Sequence, residues 1–392
     1  MYPVITLQKG KEESLKRQHP WVFSGAIKSF SKPCNDGEIV CVQNNRNEFL
    51  GIGHYQNGSI AIRILSFEKI TIDENFWELK LSQALSVRNT IRLVNNSETN
   101  CYRLIHAEGD GLPGLIIDIY NNTAVIQCHS IGMHLAVENI AKAILKILNN
   151  IAAIYDKSKE TLPENYAKNV LNKYVYGSGS PQFVLENNCQ FWVDWETGQK
   201  TGFFLDQRDN RFLLSHYAKE KTVLNAFCYT GGFSVFALNA GAKLVHSVDV
   251  SAKAIEITNI NVANCKDVEY RHQSFKEDVM LFLKQAPLKY DIAVIDPPAF
   301  AKSLTKRHNA IQAYKRLNIN ALQCLNKNGL LFTFSCSQVV DNQLFYDTIV
   351  AAAIEANRKI MVLHTLSQPA DHPVSIFHKE GKYLKGLVLF VE

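Results

Sequence analysis

Apolar and polar residues alternate in short runs from Val4 to Phe67, with strand-like segments at 38–42, 49–55 and 59–65. Turn-forming residues separate them, Asn45-Arg46-Asn47 and Asn57-Gly58. Period-two alternation bounded by such residues predicts β-strands, and an Asn-Gly pair tolerates the positive φ of a tight hairpin. The pattern fits a small β-barrel. Between Asp73 and Arg92 the apolar spacing becomes helical, through Phe76, Leu79, Leu85 and Val87. Strands are then predicted at 102–107, 115–120 and 123–128, an amphipathic helix at about 133–148 and a further strand at 152–155. This is the pattern of a compact α+β unit.

Residues 160–181 are polar and end in Gly177-Ser178-Gly179-Ser180-Pro181, an irregular connection. A hairpin at 183–185 and 190–193 leads into a region where strands and helices alternate. Strands are predicted at 223–227, 244–248, 268–271, 292–295, 330–334, 360–365 and 387–391. The intervening helices are 233–240, 252–263, 279–285, 311–325 and 344–356. Such alternation implies a parallel, doubly wound α/β sheet, whose ligands sit at the carboxyl ends of its strands. The chain thus reads as multidomain: an N-terminal small β-barrel over residues 1–70, a central α+β domain over 71–181 and a C-terminal α/β domain over 182–392.

The length of 392 residues agrees with two or three domains. Hydrophobic content of 46% with 20% charged residues is that of a folded soluble protein. The chain shows neither an apolar run long enough to span a membrane nor the basic-then-apolar order of a signal peptide, so the expected location is the cytoplasm. Nine cysteines without a C-x-x-C pair argue against a zinc ribbon or a disulfide framework, and no metal site is expected. A net charge of +5 is compatible with a polyanionic partner and does not select one.

The first strand of the α/β region, Val223-Leu224-Asn225-Ala226-Phe227, runs into Cys228-Tyr229-Thr230-Gly231-Gly232 and then a helix. Glycines at that turn let the backbone approach a ligand. The dinucleotide fingerprint G-x-G-x-x-G is absent, so the turn is not written for a pyrophosphate. Asp249, about twenty residues past the glycines, suits ribose hydroxyls. An adenosine-containing ligand without a pyrophosphate satisfies both observations, and S-adenosylmethionine is the common one. Asp249 also reads as a helix-start acid with Ser251 as the cap. Asp278 is a candidate for the adenine amino group, with Glu277 beside it equally placed.

Two strings carry the chemistry. In Asp296-Pro297-Pro298-Ala299-Phe300 the prolines stiffen the loop and remove backbone donors, leaving carbonyls as acceptors. Asp296 can grip the polar edge of a nucleobase while Pro298 and Phe300 lie against its ring. Phe334-Ser335-Cys336-Ser337 ends another apolar strand and presents a thiol to the same crevice. A thiolate adding at carbon 6 of a pyrimidine makes carbon 5 nucleophilic enough to accept a methyl group. His272, His308 and His372 are candidates for the base that removes the carbon-5 proton only by residue type.

Together these strings resemble the large-subunit ribosomal RNA cytosine-5 methyltransferases with an N-terminal PUA domain. Lys9-Gly10 with His19-Pro20-Trp21-Val22-Phe23-Ser24-Gly25 looks like the opening of that domain. Tyr102-Arg103-Leu104 through Gly109-Asp110-Gly111-Leu112-Pro113-Gly114 is similar to the family's central region. Thr201-Gly202-Phe203-Phe204-Leu205-Asp206-Gln207-Arg208 looks like the segment that covers the cofactor. Asp371-His372-Pro373 and Tyr383-Leu384-Lys385-Gly386 resemble the C-terminal signatures.

The resemblance implies a class I Rossmann-like methyltransferase domain with S-adenosylmethionine as methyl donor. It implies Cys336 as nucleophile, Asp296 as the residue holding the base, and cofactor contacts from Gln207, Arg208, Asn225, Phe227, Tyr229, Thr230, Gly231, Asp249, Ser251, Asp278, Asp296 and Pro297. Large-subunit ribosomal RNA is the implied partner, bound in part by residues 1–70, and a homodimer is an open option. Ala299 stands where many relatives carry a basic residue, and the segment 271–276 is longer than usual. Two rival readings use the same strings. One is a guanine methyltransferase acting at N7 or N2 without a covalent step; the other is an inactive RNA-binding assembly factor.

Overall fold

The computed structural model describes residues 2–301 and 303–392. They form two compact units, one of residues 1–184, 193–205 and 370–381, the other of 185–192, 206–369 and 382–392.

The first unit opens with six strands, β1 Val4–Leu7, β2 Trp21–Phe23, β3 Ile27–Phe30, β4 Ile39–Gln43, β5 Phe49–Tyr55 and β6 Ile60–Ser66, in the order β2-β6-β5-β4-β1-β3. Alternate residues of β1 and β4 point inward, so Ile5, Leu7, Val40 and Val42 join Val22, Ile62 and Ile64 in one apolar core. The tight turn expected at Asn57-Gly58 is a four-residue connection, 56–59.

A second core in this unit lies under the five-stranded sheet β11-β10-β9-β8-β7. Its strands are β7 Cys101–His106, β8 Leu115–Tyr120, β9 Thr123–Cys128, β10 Ala153–Asp156 and β11 Lys173–Gly177. The helices Glu74–Thr90 and Val137–Ile147 cover it, the first capped by Asp73 accepting the Phe76 N–H. The helix expected over 133–148 is broken at Ala136 into two pieces. Ion pairs lock this region. Buried Arg88 grips Asp110 with two bonds of 2.5 and 2.8 Å and donates to the Asp371 carbonyl at 2.8 Å. Arg103 does the same with Asp118, at 2.8 and 2.9 Å, and its backbone N–H donates to the Asp371 carboxylate. A Cβ on Gly109 would lie 1.9 Å from the Pro373 carbonyl oxygen, so only glycine fits there. The central signature and Asp371-His372-Pro373 are therefore packed together.

Strands β12 Gln182–Glu186 and β13 Cys189–Val193 form a hairpin. Its turn residues Asn187 and Asn188 have φ of 47° and 63°, the pair of left-handed positions that a two-residue turn matching strand twist requires.

The second unit holds a seven-stranded sheet in the order β16-β15-β14-β17-β18-β20-β19. Its strands are β14 Thr222–Ala226, β15 Leu244–Asp249, β16 His272–Lys276, β17 Tyr290–Ile295, β18 Leu325–Ser335, β19 Ile360–Leu366 and β20 Lys385–Val391. Two expectations need correction. The sheet is mixed: β20 runs antiparallel between β18 and β19. Residues 268–271 form a helical turn, and the edge strand is β16, whose polar sequence hid it because an edge strand has less to bury. The order reverses between β14 and β17, which is where ligands of such sheets bind.

Candidate active site

The turn after β14 is held in a conformation that costs energy. Phe227, Tyr229 and Gly231 all have positive φ, at 59°, 46° and 78°. A non-glycine residue in this region costs on the order of 1–3 kcal/mol and persists only where its surroundings fix it. Here Asp249, at the end of β15, accepts the Tyr229 N–H at 3.0 Å and the Ser251 N–H at 2.9 Å. The Tyr229 carbonyl accepts from Thr258 at 2.8 Å, and the Thr230 carbonyl from Asn261 at 2.8 Å. A Cβ on Gly231 would meet Thr258 Cγ2 at 2.7 Å, and one on Gly232 would meet Arg211 Cδ at 2.9 Å. Both glycines are thus required by packing as well as by any ligand.

Asn225 lies beneath this turn. Its Nδ2 donates to Ser234 at 2.8 Å, and a buried chain continues to Ser247 and His272. Asn225 Oδ1 is buried without a partner among the described residues. Ser251 caps the helix Ala252–Val262 by accepting the Ala254 N–H. Asp278 is exposed and caps the helix Val279–Lys284.

Asp296 follows β17 and Cys336 follows β18, and these strands are parallel neighbours with Ile295 opposite Thr333. Their carboxyl ends therefore open on one crevice. Cys336 is half-buried, and its Sγ lies 4.0 Å from the Pro297 carbonyl oxygen. The Asp296 carboxylate accepts from Gln207 Nε2 at 3.0 Å, and Gln207 Oε1 in turn accepts from Asn210 Nδ2 at 2.6 Å. Buried Gln207 is placed to orient Asp296. Pro297 is buried and Pro298 exposed. Phe300 packs on Tyr314, with ring centroids 4.6 Å apart at 55°, so this ring belongs to the core edge as much as to the crevice. Burial pushes the Tyr314 hydroxyl up to about 12.

Arg208 lies beside a buried carboxylate. It is buried with its Nε 3.8 Å from Glu186, the fully buried carboxylate that Arg211 holds by two bonds of 2.7 Å. The three histidines named as possible bases have other positions. His272 bonds Ser247 and is pushed by burial down to about 4. His308 is exposed on the helix Arg307–Cys324, and His372 bonds Asp371 and lies against His106 with the rings tilted at 50°. Sequence reasoning passed over Asn210 and gave Lys385 no role of its own.

One group of possible metal ligands occurs among the described residues, His19, His378 and Glu380. The Trp21 N–H donates to His19 Nδ1, which leaves the neutral ring's proton on Nε2, the atom 3.8 Å from Glu380.

Residues 5–67 match a PUA-like domain family, and residues 158–375 match the S-adenosylmethionine-dependent methyltransferases. The chain is 37% identical to ribosomal RNA large subunit methyltransferase I of Alteromonas mediterranea over 390 residues, 98% of each chain. It is 38% identical to the protein of that name from Tolumonas auensis, over 99% of each. The chain belongs to the ribosomal RNA large subunit methyltransferase I family of S-adenosylmethionine-dependent enzymes. A Streptococcus mutans protein, described provisionally as a methyltransferase of this cofactor, shares the fold with a TM-score of 0.84, at 25% identity and 99% coverage of both chains. A chain solved with SAH has the same TM-score at 24% identity and shows the fold alone.

The methyltransferase site fits its cofactor. Asp249 gives one acceptor site on each oxygen to the backbone, and a carboxylate with about four such sites keeps others for ribose hydroxyls. The distorted, glycine-bearing turn beside it and the unpartnered buried acceptor on Asn225 are the features of a preformed ligand cradle. No helix of the described residues is long and apolar enough to cross a membrane.

Proposed function

We propose that this methyltransferase modifies carbon 5 of a cytosine in large-subunit ribosomal RNA through a transient bond between Cys336 and the base. The observation that carries this reading is the Cys336 sulfur 4.0 Å from the carbonyl of Pro297, which puts a half-exposed thiol beside the Asp296 loop. Full-length relatives named for large-subunit ribosomal RNA support the substrate class.

S-adenosylmethionine, when bound, supplies an electrophilic methyl group. Asp249 would hold its ribose, and Asp278, two residues beyond β16, would take the adenine amino group. Asp296, oriented by Gln207, accepts hydrogen bonds from the base edge. The Cys336 thiolate forms a bond to carbon 6, and the displaced ring electrons make carbon 5 the nucleophile that takes the methyl. Loss of the carbon-5 proton to solvent in the crevice then re-forms the ring double bond, breaks the carbon–sulfur bond and returns the thiolate. A direct transfer to guanine needs no thiol.

The test is methyl transfer from labelled S-adenosylmethionine to ribosomal RNA by wild type and Cys336→Ala, with 5-fluorocytidine RNA as a trap. Wild type should form a covalent complex that Cys336→Ala does not, and the variant should lose transfer. Full activity of Cys336→Ala contradicts the covalent reading.

A further inference from the structure

Strand β20 is apolar apart from its first residue, Lys385. Its antiparallel register with β18 sets Lys385 opposite Ser335, the residue before Cys336. The side chain is only 5% exposed. Its ammonium donates to the Ser337 carbonyl at 2.9 Å and to the Tyr383 carbonyl at 2.7 Å. Ser335 and Ser337 flank Cys336, so the cation is held against the turn that presents the thiol.

Two neutral carbonyls do not compensate a buried charge. Burial pushes Lys385 down to about 8, and the charges that push it back up are first Cys336 and then Asp341. Asp341 is engaged elsewhere, accepting the Leu344 N–H at 2.8 Å as a helix cap. The interaction with Cys336 is mutual: whatever a thiolate does to keep the proton on Lys385, the ammonium does to keep Cys336 ionised.

We propose that Lys385 is a positioning residue whose buried ammonium holds Cys336 as the thiolate before the base arrives. This rests on the reading of Cys336 as nucleophile. The thiol proton leaves to solvent through the half-open crevice, Lys385 keeps its three protons, and its charge faces the thiolate again when the carbon–sulfur bond breaks. It supplies an activating group that none of the three candidate histidines was found to provide.

The experiment is the alkylation rate of Cys336 by iodoacetamide against pH, followed by mass spectrometry of its own peptide. Wild type should show a midpoint below the roughly 8.5 of an ordinary thiol. Lys385→Met should raise that midpoint by about one unit or more and lower kcat at pH 7 roughly tenfold, while Lys385→Arg stays near wild type. S-adenosylmethionine binding reports whether each variant is folded. A wild-type midpoint at or above about 8.5, or superimposed wild-type and Lys385→Met profiles, overturns the proposal. The wild-type profile decides it alone if Lys385→Met does not fold. These profiles do not depend on catalysis, so an active Cys336→Ala would remove the nucleophile reading while leaving the effect of Lys385 on the thiol measurable.

Discussion

Replacing Arg211 by Met isolates what the buried ion pair behind the cofactor turn contributes. Glu186 is fully buried and takes two 2.7 Å bonds from Arg211, while Arg208 approaches it only to 3.8 Å. Met keeps the aliphatic stem that packs on Gly232 and removes the charge. Leaving one partner of a buried pair uncompensated costs about 3–5 kcal/mol, and the nearby Arg208 charge favours the lower end. For a unit of this size about 3 kcal/mol corresponds to a fall in Tm of roughly 6–12 °C. Calorimetry on the full chain should show this fall in the transition that S-adenosylmethionine raises. The double variant Glu186→Met/Arg211→Met, which removes both charges of the pair and leaves that of Arg208, should recover part of the loss. A single variant melting within about 1 °C of wild type, or a double variant no more stable than the single, would refute the reasoning.

Asp249→Asn should weaken S-adenosylmethionine binding about 10- to 100-fold by calorimetry, because an amide cannot accept both the Tyr229 and Ser251 N–H groups and still serve the ribose. Gln207→Ala should lower kcat/KM for RNA about tenfold and leave cofactor affinity within about twofold, since it removes the Gln207 hydrogen bond to the Asp296 carboxylate; unchanged kcat/KM would contradict its orienting role. Gly109→Ala should destabilise the central region by about 2 kcal/mol or more in denaturant unfolding, as its Cβ would overlap the Pro373 carbonyl. Buried His54 is pushed down to about 4, first by burial and then by Arg63. A folded pKa below the unfolded value of about 6.5 means its stability is intact above pH 6.5 and is lost as pH falls toward 4, about 3 kcal/mol in all. His54→Gln cannot take up that proton, so its stability curve should be flatter over this window; parallel curves would show that His54 is not responsible.

The chemistry was more legible than its support. Asp296 and Cys336 follow long apolar strands, so strand pattern alone sent both to the carboxyl end of a sheet. Asp249 and the glycines stood out for the same reason. The antiparallel course of β20 was not legible, because its apolar run is the same in either direction. The edge strand β16 was missed because its alternation is polar, and the helical turn before it is set by Asp267 at φ 52°. Gln207 and Arg208 were found by resemblance, yet their partners Asp296 and Glu186 are distant in sequence, and pairing across such distances leaves no local signal. Lys385 was quoted within a motif without a role, since its meaning depends on the register that places it opposite Ser335.

Mass mapping of large-subunit ribosomal RNA from cells with the gene, without it, and with Cys336→Ala in its place bears most directly on the central claim. The expected result is one 5-methylcytidine present with the wild-type gene and absent in the other two strains. Retention of every 5-methylcytidine with loss of a methylguanosine, or a full modification pattern in the Cys336→Ala strain, would contradict it.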